Sequence, residues 1–188
     1  MDGVERSLIR YGLLLQQDKR LPSVVGIIAG GALRGSWWSH PKAQAIFARL
    51  ERLDDDEDVL ASRLVAGKVT YVHRKLWPAF LSVATSNATW QYDGLSAGAR
   101  ALLARAPVRA KGDAVRELQD RLLVAAAEVH TESGRHEIEI EPWDAWARRH
   151  RAAPMQDIDA AREELERAVM AIGAPLSSLR WRKRRQQT

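Results

Sequence analysis

Two clusters of side chains carry most of the chemistry this sequence can offer. The first is Ser36-Trp37-Trp38-Ser39-His40-Pro41-Lys42. Indole rings stack on unpaired nucleic-acid bases, at about 1–3 kcal/mol per base. Serine, histidine and lysine beside them are donors that phosphate oxygens accept. The packing alternative is that one indole plugs the core beneath the following helix. Adjacent residues rarely both point inward, so the other indole is then left outside. The second cluster is Arg180-Trp181-Arg182-Lys183-Arg184-Arg185, with five cations, one indole and no acid. It reads as a phosphate clamp that weakens as salt rises, with Trp181 available to stack; the plain alternative is a solubilising, disordered end. The net charge is +5, which this run accounts for, so the rest of the chain is close to neutral. A charge-balanced body attracts phosphate less than a basic one does.

Other constellations are weaker. His130 and His136 suggest a metal site, but no third ligand stands nearby. An even-length turn pairs Thr131 with His136 and puts the two histidines on opposite strand faces; only an odd-length turn makes them converge. Asp54-Asp55-Asp56-Glu57-Asp58 offers carboxylates to a divalent cation, yet it lacks the glycine and the closing glutamate of an EF-hand loop. A solvated loop is expected. Gly26, Gly30 and Gly31 form neither GxxxxGK[ST] nor GxGxxG, and GxSxG and HExxH are absent. Neither a metal nor a cofactor is expected. An enzyme acting on bases needs a water-activating carboxylate; Glu128, Glu137 and Asp144 are available, and nothing singles one out. Binding is therefore expected ahead of catalysis.

The chain has no cysteine, which excludes disulfides, thiolate metal sites and cysteine nucleophiles and fits a reducing compartment. No apolar run approaches the roughly 18–20 residues that cross a bilayer. The opening MDGVERSLIR carries acids and lacks a signal-peptide core. A cytoplasmic location and no membrane partner are expected.

The elements that must position these residues follow from periodicity. Leu8, Tyr11, Leu14 and Leu15 make one stripe and predict a helix over 4–17. Pro22 opens a second helix that ends at Gly30-Gly31. Ser39 caps a third, with Pro41 just inside and Ile46, Leu50 and Leu53 along one side. Around Ala66-Gly67-Lys68 the period changes to that of a β-hairpin. Another helix starts at Leu76-Trp77-Pro78. Residues 85–94 are polar and read as a junction. Ser96 then caps a helix ending near Pro107, and Val115, Leu118 and Leu122 share a face of the next. A second hairpin turns at 132–135, with His136, Ile138 and Ile140 alternating against Glu137, Glu139 and Glu141. Trp143 and Trp146 follow on a helix where core packing is expected. Asp157 caps a last helix striped by Ile158, Leu165, Val169 and Ile172.

The two halves repeat one order: helix, hairpin, then a helix opening with tryptophan and proline. Over residues 20–84 and 95–150 this order resembles the winged helix-turn-helix superfamily. The resemblance implies a mainly α chain with two short β-hairpins (α+β), built as tandem winged-helix-like units plus a C-terminal helix. Residues 1–84 form the first unit and 95–150 the second; 155–173 form the C-terminal helix and 176–188 the basic tail. It implies a nucleic-acid partner, DNA first and RNA second. Contacts are implied for Ser36, Trp37, Trp38, Ser39, His40 and Lys42 in the first unit, and for Arg109, Lys111 and Arg116 in the second. Lys68 and Arg135 are the implied wing tips, with Arg180 to Arg185 as an added clamp. The acidic run follows the first recognition helix directly. Either that end points away from DNA or the first unit does not bind it. Two alternatives stand: a winged-helix protein adaptor, and a DNA-repair enzyme, since Gln16-Gln17 is similar to a feature of bacterial winged-helix glycosylases. The C-terminal helix is expected to pack on the body or to pair with a protein partner, a second copy included.

Overall fold

The computed structural model describes residues 1–130 and 136–182. These form nine α-helices and two three-stranded antiparallel sheets, an α+β chain. It divides into two compact units: Met1–Trp77 with the chain from Glu163 onward, and Pro78–Arg162.

In the first unit, α1 (Gly3–Tyr11) is capped by Asp2, whose side chain accepts from the Glu5 N–H at 2.8 Å. The helix does not run to residue 17. Gly12 stops it with φ 79°, and its N–H returns to the Leu8 carbonyl. A left-handed glycine is the ordinary way to leave a helix. Leu13–Leu15 then forms β1, with all three leucines at 0% exposure. A continued helix would turn one of three successive leucines outward, whereas a strand covered on both faces buries them all.

Ser23 caps α2 (Val24–Ala29) through its Oγ, so Pro22 stands before the cap rather than in the first turn; Gly30 ends the helix as predicted. A 3₁₀ turn, Trp37–Ser39, is capped by Ser36, and α3 (Ala43–Asp54) begins after Lys42 with no side-chain cap. The predicted Ser39 cap of this helix is therefore not formed, and Pro41 lies outside the helix. β2 (Val59–Val65) and β3 (Lys68–His73) make the first hairpin. Its two-residue turn has Ala66 at φ 54° and Gly67 at φ 68°, the positive pair that matches strand twist. The sheet order is β1-β3-β2. Leu8, Leu14, Val25, Trp37, Ile46 and Tyr71 share one core beneath it.

Beyond the first hairpin comes α4 (Trp77–Ala84); the Trp77 indole N–H donates to the Val72 carbonyl at 3.0 Å. The segment read as a junction holds a short helix, α5 (Thr89–Tyr92), and Gln91 in it is fully buried. Its amide donates to the Ala84 carbonyl at 2.8 Å and its oxygen accepts from the Ala88 N–H at 2.9 Å. The polar character that signals a linker here satisfies a buried turn. Ser96 caps α6 (Ala97–Leu103) as predicted. β4 (Val108–Ala110) comes next, then α7 (Asp113–Asp120), β5 (Ala125–His130), β6 (His136–Glu141) and α8 (Trp143–Arg149). The sheet order, β4-β6-β5, repeats the plan of the first unit. The helices differ: α2 and α3 lie between first strand and hairpin in one unit, α7 alone in the other. Trp143 and Trp146 are buried, as expected.

α9 (Ile158–Ala171) is capped by Asp157, whose Oδ1 accepts from the Asp159 and Ala160 N–H groups. Leu165, Val169 and Ile172 are buried within the chain itself. These three stripe residues are already covered, which fits the first of the two expected alternatives, packing on the body. Among the described residues no helix is long and apolar enough to cross a membrane.

Gly12 is closely packed, since a Cβ there would lie 2.6 Å from Leu76 Cδ1 and 2.8 Å from Lys75 Cε. Gly12→Ala combines that clash with a left-handed backbone. It is expected to destabilise by at least about 2 kcal/mol, read as an earlier urea midpoint at unchanged slope. Gly30→Ala, which meets no neighbour within 4 Å, serves as the milder control.

Candidate nucleic-acid interface

The approach to α3 is built from β1 outward. At the end of β1 the Gln16 carbonyl accepts from the Val25 N–H at 3.0 Å, tying the strand to α2. The Gln17 amide then donates to the Gly35 carbonyl at 2.7 Å, anchoring the loop that leads into the 3₁₀ turn. Gln17 therefore has a positioning role, and the similarity to the glycosylase glutamines gains nothing from it.

The two indoles separate as the sequence predicts for an adjacent pair. Trp37 is 7% exposed and belongs to the core, so it is withdrawn from any ligand; Trp38 is 64% exposed. Their rings stack with centroids 4.0 Å apart and planes 23° apart. Phe47, on the first full turns of α3, lies 5.8 Å from Trp38 and is itself exposed. In sequence Phe47 stands beside the Ile46, Leu50 and Leu53 stripe, and sequence reasoning gives it no role at the site. Its place one step off the Ile46–Leu50–Leu53 stripe was the signal that it faces out.

The polar residues of the cluster mostly hold the turn. Ser36 Oγ accepts from the Trp38 N–H at 3.3 Å, and Ser39 Oγ donates to the Ser36 carbonyl at 3.4 Å. His40 Nδ1 accepts from the Lys42 N–H at 3.2 Å. Lys42 Nζ donates to the Ile28 carbonyl near the end of α2, and the residue stays exposed.

Charge is segregated along this unit. From Lys19 to Leu50 the sequence carries Lys19, Arg20, Arg34, Lys42 and Arg49 and no carboxylate, and of these Arg49 is paired with Asp2 at 2.9 Å. Glu51 and the start of the 54–58 acidic run come toward the opposite end of α3, about 12 and about 16 Å from its start at a rise of about 1.5 Å per residue. There Asp58 pairs with Arg74 at 2.7 Å. Burial, reinforced by the neighbouring Asp54 carboxylate, pushes the Tyr71 phenol well above its ordinary range. The acidic run thus occupies the far end of α3, away from the aromatic turn.

Several of the expected phosphate ligands have partners at home. Lys68 pairs with the buried Asp18 at 2.5 Å. Arg109 lies on β4 rather than opening a helix, and pairs with Glu139 at 3.4 Å. Lys111, between β4 and α7, and Arg116, on α7, are exposed and have no ion-pair partner among the described residues. Arg180–Arg182 form a 3₁₀ turn. The buried Glu166 of α9 accepts from the Trp181 indole at 2.9 Å and from Arg182 at 2.6 and 2.7 Å. Trp181 is thereby held in place, and Arg182 is neutralised by a two-point contact. Arg135, Lys183, Arg184 and Arg185 lie outside the described residues.

His130 stands opposite His136 in the β5–β6 register. The connection is therefore odd in length, the second of the two cases that the sequence left open. Glu128 is paired with Ile138 and Glu137 with Val129 in the same ladder, while Asp144 is in the first turn of α8. Among the described residues no three histidine, aspartate or glutamate side chains gather as a metal site. No family model, curated protein or solved structure matches this chain.

Asp18 links the turn of the first hairpin, through Lys68, to the segment before α2 and sets an acid limit. Burial pushes its carboxyl up, but Lys68 and the Leu21 and Arg20 N–H groups more than offset this and hold it below its ordinary value of 3.8. A depressed folded-state value means that the contribution is present above the unfolded value and is lost as pH falls through the folded one. Asp18→Asn is expected to cost about 1–2 kcal/mol at pH 7. The gap from the parent protein should close as thermal scans move from pH 7 to below pH 3.

Proposed function

We propose that this chain binds DNA, with RNA as the alternative polymer, and that its first unit is of winged-helix type with α3 as the element that meets the nucleic acid. The observation that carries this reading is the polarity of α3. Its leading end adjoins the exposed Trp38 and Lys42, with the exposed Arg34 in the loop before them, while its trailing half holds Glu51 and Asp54 together with Arg52 and with Arg49, which pairs with Asp2 at 2.9 Å. A helix so divided fits phosphate at one end only. The element order supports the reading. A short strand lies between the first two helices and pairs with the far strand of the hairpin, and α3 runs straight into that hairpin. This is the arrangement in which a winged helix presents its recognition helix.

The second unit has the same sheet but a single helix before its hairpin, so a two-helix reading element is proposed for the first unit alone. Lys111 and Arg116 add charge, and the basic run beyond Arg182 adds non-specific attraction. The protein-adaptor reading is favoured by a different observation. Lys68, Arg109 and Arg182 are already neutralised within the chain, which leaves a body with little spare charge.

Salt dependence separates the two. For the proposed binder, affinity for a short duplex falls steeply between about 50 and 200 mM salt. Arg34→Ala and Lys42→Ala each weaken binding and flatten the slope of log affinity against log salt by about one unit if that side chain meets a phosphate. Fluorescence anisotropy of a labelled oligonucleotide reads both. Affinity absent at 50 mM salt, or unaffected by salt, favours the adaptor.

A further inference from the structure

The exposed aromatic surface at the leading end of α3 has a geometry that ordinary duplex contacts do not need. Phosphate contacts ask for cations, and groove contacts ask for hydrogen-bonding side chains on the helix. Trp38 is neither. Its ring rests on the buried Trp37 ring at 4.0 Å, Phe47 flanks it at 5.8 Å, and 64% of its surface remains open. The ring is also fixed before any ligand arrives. The Ser36 cap, the Gln17–Gly35 bond and the Trp37 plug hold the turn that carries it. A pre-set ring loses little rotamer freedom on binding.

We propose that Trp38, with Phe47 beside it, is a stacking platform for one unpaired base, so that the substrate class of this site is single-stranded or gapped nucleic acid rather than fully paired duplex. This rests on the nucleic-acid reading of the first unit. In an intact duplex both faces of every base are already stacked on neighbours. An open indole face therefore has a partner only where a base is unpaired. The choice of a base over an apolar protein side chain follows from the charge around the platform. Arg34 and Lys42 stand four residues to either side of Trp38, both exposed, and no carboxylate occurs between Lys19 and Leu50. A stacking face flanked by cations suits an unpaired base with its own phosphates. An apolar partner side chain gains nothing from those charges.

The test measures anisotropy of labelled oligothymidylate, of a duplex with a single-nucleotide gap, and of the same duplex intact, at about 50 mM salt. The parent protein is expected to favour the first two over the intact duplex by tenfold or more. Trp38→Ala is expected to lose between about 5- and 150-fold on the single strand, matching one base stack, and less than twofold on the intact duplex. Trp38→Phe should retain most of the affinity. Because the side chain is largely exposed, unchanged thermal unfolding of both variants confirms that folding is not the cause. Equal binding of Trp38→Ala and parent to the single strand overturns the platform while leaving salt-dependent binding, and so the proposed function, standing. No binding to any of the three overturns both. A parent dimer in sedimentation that Trp38→Ala dissociates, with single-strand affinity unchanged, assigns the surface to a second copy and also overturns the platform.

Discussion

The first unit depends on a single change of direction at Gly12. The chain must leave α1 and enter a fully buried strand within one residue, and only a left-handed backbone with no side chain fits there. The carbonyl of Gly12 also accepts from the His73 N–H at 2.9 Å, closing the sheet at that end. Burying the three leucines of β1 contributes about 1.5–3 kcal/mol apiece. The consequences run in sequence order. β1 completes the sheet on β3, Gln16 fastens α2, Gln17 fastens the loop, and the loop delivers Trp37 into the core and Trp38 to the surface. The orientation of the aromatic surface is therefore set by a strand more than twenty residues upstream.

Electrostatics narrows what that surface meets. Basic composition alone suggests cations spread over both units, but pairing inside the chain removes several of them. Asp18 takes Lys68, Glu139 takes Arg109 and Glu166 takes Arg182. Glu166 and Asp18 are the buried carboxylates among these pairs, and each receives three donors. Opening such a pair leaves an uncompensated buried charge, so the root of the basic run stays on α9. What remains is a local asymmetry along one helix rather than a general positive field.

The legible parts of the sequence were those with strong local signals. The Ala66-Gly67 turn, the Ser96 and Asp157 caps, the buried stripe of α3 and the tryptophans of α8 all follow from residue type and spacing. The three-residue strands β1 and β4 were not legible, because a two-residue period cannot declare itself over three positions and their pairing is long-range. The segment 85–94 misled because buried polar groups and exposed linkers share a composition; only the bonds of Gln91 tell them apart. The site divided similarly. The indole pair was visible in sequence, with one ring expected inside and one outside. The outward turn of Phe47 and the internal partners of Lys68, Arg109 and Arg182 depend on tertiary neighbours that local spacing does not encode.

The account stands on contact between nucleic acid and the leading end of α3, and photochemical crosslinking tests that contact most directly. A single-stranded oligonucleotide carrying 5-iododeoxyuridine, irradiated with the protein and mapped by peptide mass spectrometry, is predicted to place its main adduct on the peptide holding Trp38 and Phe47. Adducts found instead on the second unit or on the basic run after Arg180, with none between Lys19 and Leu50, would contradict it.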